Sequence, residues 1–191
     1  MQGVLDFPDL NTPTRRRPPR IYFALLPDAG TSARITALAG RVLSGQPGRW
    51  RRSSAGWLHL SLHPVWQGVR LPSRIPFAAE RAAARVTARP FRLSCGEVMS
   101  FRTMSRRPDP VALVLCGTCD ALRDLHRSLG AAMAAWGFRT SGRFTPHITL
   151  ARGPQALPSL PVDPIRFDVC DFALVHSGET YEVIHRWPLR G

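Results

Sequence analysis

The chain contains no lysine: all 26 of its basic residues are arginine. Cysteine is scarce as well, with 4 in 191 residues, too few for a disulfide-built scaffold. Glycine and proline together number 33, which excludes collagen and low-complexity chains. No apolar run reaches the ~18–20 residues that a membrane-spanning helix needs. Residues Met1 to Pro19 hold no apolar stretch of the secretory-signal type. The hydrophobic share is 44%, too high for a disordered chain. These absences point to a cytoplasmic protein with no membrane partner and one ordinary domain, and a monomer is the expected state.

The excess is of positive charge. Only 13 acidic residues oppose the arginines, so the net charge is +13. Of this, +12 falls in residues 1–110. Arginine pairs with phosphate in a two-pronged geometry, so a polyanion is the partner this charge implies. Charge alone does not choose between RNA, DNA, nucleotides and a membrane surface.

Residues 1–19 read as a flexible Arg/Pro-rich arm, with four prolines and the run Arg15 to Arg17. Residues 20–191 read as one domain. Arg20 to Leu26 is a buried strand, followed by a helix that Asp28 or Thr31 can cap. Gly56 to His63 alternates apolar and polar residues and reads as a half-buried strand. The segment from Pro76 to Arg89 reads as a helix with Phe77, Ala79, Ala82, Ala83 and Val86 inward. Phe91 to Phe101 reads as one or two strands broken near Gly96, and Arg106 to Pro110 as a loop.

The pattern then recurs. Val111 to Cys116 is a strand. Cys119 to Trp136 is an amphipathic helix with Leu122, Leu125, Leu129, Met133 and Trp136 on one face, ended by Gly137. Phe144 to Arg152 is an alternating strand. Ile165 to Val175 and Thr180 to Trp187 read as further strands. The expected fold is α+β and mostly antiparallel, with two pseudo-symmetric lobes, helices outside and a central cleft.

Each half carries a matching pair. His59 and Ser61 share one face of their strand, and His147 and Thr149 share one face of theirs. The two histidines lie 88 positions apart, at corresponding places in the repeat. The apolar neighbours Leu60, Leu62, Ile148 and Leu150 must face the core, which turns both pairs to the open side. If the lobes face each other, two imidazoles and two hydroxyls converge. One imidazole can activate a nucleophile while the other protonates a leaving oxygen, because both protonation states exist near neutral pH. The hydroxyls can donate to phosphate oxygens. The two histidines supply both proton transfers, so neither a metal nor another cofactor is required.

His63 falls on the His59 face in an ideal strand and reads as a rim residue without a chemical role. His126 reads as structural or solvated, and His176 as a late-strand residue. Cys116 and Cys119 form a C-x-x-C without a second pair at metal-ligand spacing, so they read as structural. Candidate base-stacking aromatics are Tyr22, Phe23, Trp57, Trp66, Phe101 and Phe144, most of them expected in the core.

The doubled His-x-Ser/Thr pattern resembles the signature of the 2H phosphoesterase superfamily. The strand from Tyr22 to Pro27 and the block from Phe144 to Arg152 are similar to its RNA 2′,3′-cyclic phosphodiesterase, or 2′-5′ RNA ligase, branch. So is the tail through Tyr181 and Trp187. The resemblance implies a bilobal fold and opening of an RNA 2′,3′-cyclic phosphate, or of a small cyclic nucleotide, to a 2′-phosphate. It implies His59 and His147 as acid and base, with Ser61, Thr149 and Arg152 on the phosphate. His147 as base and His59 as acid is one assignment, and the reverse stays open. Arg152, five residues after His147, needs a strand end or a bulge to reach the cleft. Alternatives are a reversible 2′-5′ RNA end ligase, a 2′-5′ oligonucleotide phosphodiesterase and a non-catalytic RNA-binding protein.

Overall fold

The structure is a computed structural model that describes residues 18–102 and 110–190. Nearly all of the expected arm, and most of the loop before Pro110, lie outside these residues. The strands are β1 (Arg20–Leu25), β2 (Arg51–Arg52), β3 (Leu60–Gln67), β4 (Phe91–Arg102), β5 (Val111–Gly117), β6 (His147–Gly153), β7 (Leu160–Val169), β8 (Asp171–Ser177) and β9 (Tyr181–Pro188). The helices are α1 (Ala29–Leu43), α2 (Arg74–Ala83) and α3 (Asp120–Ala135), with a short 3-10 turn at Ala55–Trp57.

Local chemistry sets these elements. Asp28 caps α1: one carboxylate oxygen accepts the Thr31 N–H at 2.8 Å and the other accepts the Thr31 hydroxyl at 2.6 Å. Helix α3 buries Leu122, Leu125, Leu129 and Met133 along one stripe. Gly137 follows it at φ +80, the left-handed conformation that ends helices. In α2, Ala79, Ala82 and Ala83 are buried as expected, but Phe77 is 59% exposed. It packs edge-on against the half-exposed Trp136 at 6.4 Å, a surface pair where the periodicity put two core residues. The apolar segment expected as one strand over residues 165–175 is two strands, β7 and β8, parted at Cys170.

All nine described strands form one sheet of antiparallel pairs, in the order β7-β4-β5-β6-β3-β1-β8-β9, with β2 beside β6. The order is symmetric about the β6–β3 seam. Outward from it, β6, β5, β4 and β7 answer to β3, β1, β8 and β9. Each half runs strand, helix, motif-bearing strand: β1, α1, β3 and then β5, α3, β6.

The sheet cannot be flat. β7 is an edge strand and β8 lies six places away, roughly 29 Å at the usual strand spacing. Yet only Cys170 separates Val169 from Asp171, and one residue spans far less than that. The sheet therefore bends until these ends meet. The helices cross the seam as well: α1 packs on β6 and β7, and α3 on β3 and β4. A single core results, joining Phe23, Leu60 and Phe172 of one half to Leu93, Ile148 and Phe167 of the other. On the opposite face Tyr22, Ala24, Ala173 and Val175 form a small second cluster, with Tyr181 against it.

Candidate active site

The two motifs meet at the seam. Leu60, the middle residue of His-x-Ser, pairs directly with Ile148, the middle residue of His-x-Thr. Both side chains are fully buried on the helix side. The flanking residues must then point to the other face. Continuing that antiparallel register sets His59 opposite Thr149 and Ser61 opposite His147. The halves meet edge to edge, so paired strands of one sheet bring the four groups together.

Each histidine is held alike. His59 lies one residue before β3, and its Nδ1–H donates to the carbonyl of Trp57 at 2.8 Å. His147 opens β6, and its Nδ1–H donates to the carbonyl of Thr145 at 2.7 Å. A carbonyl only accepts, so Nδ1 carries the hydrogen in both rings. Nε2 of each ring is then the atom left for proton exchange. Burial pushes the His59 pKa below the usual histidine value; the bond to Trp57 opposes this, and the nearby charge of His147 adds to it.

Aromatic rings fill the surroundings. Tyr22 lies 4.9 Å from the His59 ring and Tyr181 lies 6.0 Å from it. Trp57 packs on Tyr181 at 5.3 Å and is 42% exposed. Phe101 meets the His147 ring edge-on at 5.1 Å. Of the six candidate stacking residues, Tyr22, Trp57 and Phe101 lie at the site, whereas Phe23, Trp66 and Phe144 pack with the core. Tyr181 was missed. Its signal is the short hairpin in which it pairs with Ser177, placing it beside β1 and Tyr22.

Bulges decide the rest. On β6, Thr149 pairs with Val114 and Ala151 with Leu113, so Leu150 is an extra residue. Leu150 and Ala151 are both buried. Beyond them the alternation is reversed. His147, Thr149 and Arg152 pair with Cys116, Val114 and Ala112, three alternate residues of β5. Partners on neighbouring strands share a face, so Arg152 lies on the histidine face as the resemblance required.

The first half has the same bulge at the equivalent place. Ser61 pairs with Ala24 and His63 with Phe23, leaving Leu62 extra. His63 therefore turns into the core, 2% exposed, which corrects its reading as a rim residue. Its Nε2–H donates to the His126 carbonyl at 2.8 Å, and its ring stacks on His126 at 3.9 Å. His126 in turn stacks on Phe144 at 4.0 Å. Gly130 leaves room for this, since a Cβ there would stand 3.1 Å from the His63 ring. His176 pairs with the core residue Ile21 and so turns from the site.

Cys116 lies between Glu97 of β4 and His147 of β6. Burial, then Glu97, pushes its thiol up to about 11, which keeps it protonated. Among the described residues no group of three or more His, Cys, Asp or Glu side chains is arranged to hold a metal ion. Among them too, no helix is long and apolar enough to cross a membrane.

A family model described as the 2′-5′ RNA ligase superfamily matches residues 18–180. The chain belongs to the 2′-5′ RNA ligase superfamily. It shares with other 2H phosphoesterases a family of phosphoesterases and ligases, which the doubled motif had indicated. The solved structure of E. coli LigT complexed with 3′-AMP is 24% identical, with a TM-score of 0.71, covering 91% of this chain and 99% of that one. TT0787 of Thermus thermophilus is 21% identical, with a TM-score of 0.70, covering 90% and 98%. The MHV ns2 PDE domain is 15% identical, with a TM-score of 0.50, covering 79% and 97%. At these identities the likeness is one of fold, and the fold is α+β and mostly antiparallel, as expected, with the two expected lobes joined as halves of one sheet. No curated protein matches this superfamily member at the sequence level.

Proposed function

We propose that the protein opens RNA 2′,3′-cyclic phosphate ends to 2′-phosphates by in-line attack of water. One observation carries this reading: the middle residues of the two motifs pair at the seam, so both imidazoles flank one place on the open face. Water attacks phosphorus and the bond to the ribose 3′ oxygen breaks. One histidine takes the water proton and the other delivers a proton to the 3′ oxygen. Ser61, Thr149 and Arg152 hold the non-bridging oxygens. Trp57 and Tyr181 offer a flat surface for the terminal base.

Burial favours the neutral form of His59 at neutral pH, the form that accepts a proton. His59 is then the base and His147 the acid, the reverse assignment that the motif leaves open. The superfamily also bears the name of RNA ligases. In that reading a 5′-hydroxyl replaces water as nucleophile on the same site.

The test supplies an oligonucleotide ending in 2′,3′-cyclic phosphate, with EDTA present, and looks for a 2′-phosphate product. No product sinks the reading. His59→Ala and His147→Ala each lower kcat by at least ~10²-fold if the pair works as acid and base. A substrate with sulfur in place of the 3′ oxygen needs no acid, because a thiolate leaves readily. It restores turnover to His147→Ala and not to His59→Ala, and the opposite rescue pattern inverts the assignment.

A further inference from the structure

The basic stretch before β3 does not act as one patch. Strand β2 pairs with β6 so that Arg51 stands opposite Arg152 and Arg52 opposite Ala151. Ala151 is fully buried on the helix side, whereas Arg152 lies on the histidine face. Cross-strand partners share a face, so the two arginines of β2 part company. Arg52 turns toward α1, where its guanidinium lies 3.5 Å from the place a Cβ on Gly40 would occupy. Arg51 turns to the open face beside Arg152.

The short strand is firmly seated. The Trp50 ring lies on Gly153, where any Cβ would stand 2.4 Å from it. On the other side the Ser53 N–H donates to the Leu150 carbonyl at 2.8 Å. Arg51 is therefore fixed between two anchors, three residues of β6 beyond Thr149. In the proposed site Arg152 at the same register already serves the phosphate held between the histidines, and Arg51 stands about 7–10 Å from Thr149 at the rise of a strand. That is a fitting distance for the next charge along a strand that carries one phosphate per nucleotide.

We propose that Arg51 binds the phosphodiester one nucleotide before the reacting end, which makes the substrate an oligonucleotide and not a mononucleotide. This rests on the site proposed above. Arg51 is thus a specificity-determining residue: it distinguishes a chain end from a free cyclic nucleotide, and Arg52 has no part in this.

The experiment measures binding, which does not depend on turnover. The probes are a short RNA ending in 2′-phosphate and the matching nucleoside 2′-monophosphate, each titrated against wild type, Arg51→Gln and Arg52→Gln. In wild type the RNA binds more tightly than the monophosphate. In Arg51→Gln that preference falls about tenfold, the loss of one charge-assisted phosphate contact. The salt dependence of RNA binding also loses about 0.7 in slope, which a merely structural role would not remove. In Arg52→Gln both stay as in wild type. Equal loss on both probes, an equal effect of the two variants, or no wild-type preference for RNA overturns the proposal. Wild-type preference without cyclic-end hydrolysis overturns the hydrolytic reading alone.

Discussion

At the scale of single residues, His63 and His126 show how two histidines become core. Each neutral ring stacks on an aromatic neighbour, and His63 also donates to a helix carbonyl. Burial lowers both pKa values, that of His126 to about 4, where the charge of a protonated His63 acts in the same direction. The unfolded chain therefore binds more protons below about pH 6.5, and stability falls as the pH falls from there toward 4. Thermal unfolding followed by circular dichroism should give a clearly lower Tm at pH 5 than at pH 7. His126→Phe keeps a stacked ring without the titration, so the drop should shrink. An unchanged drop would place the acid sensitivity elsewhere.

Most elements were legible because each has its own local signal. Asp28 with Thr31 marks the start of α1, and the stripe from Leu122 to Met133 marks α3. The doubled His-x-hydroxyl pattern was legible for the same reason, since period two orients both side chains within one strand. What period two does not carry is a bulge. Leu62 and Leu150 each add a residue that no partner matches, and the parity of the residues just beyond them reverses. That reversal buries His63 and brings Arg152 to the site, from two sequences that look alike as far as the bulge. At the position equivalent to Arg152 the first half has Pro64, so only one half supplies a cation there. Arg152→Ala should lower kcat/KM on a cyclic end by at least about tenfold while moving Tm by no more than a few degrees. Pro64→Ala should leave kcat/KM near wild type. Comparable losses in the two variants would mean that the bulge does not decide which half grips phosphate.

Across the whole molecule, the repeat in the sequence suggested two lobes, and the strand order carries that symmetry. The pairing of Leu60 with Ile148 was invisible to periodicity because it joins residues far apart in the chain, and so was the break at Cys170, because β7 pairs with β4 while β8 pairs with β1. They make the halves interdependent. The β2 and β3 strands both flank β6, the helices cross the seam, and the buried residues of both halves form one cluster. Neither half keeps a closed core without the other, so residues 20–191 should unfold as one unit. In urea, tryptophan fluorescence and far-ultraviolet circular dichroism should trace the same single transition. Trp187 reports on β9 at one edge of the sheet, and Trp50 on β2 beside β6, so the fluorescence samples both sides of the seam. Leu60→Ala should lower the unfolding free energy by the ~2–5 kcal/mol typical of a buried leucine, moving the shared midpoint to lower urea while the two probes stay coincident. If the probes separate instead, the halves fold independently and the seam merely docks them.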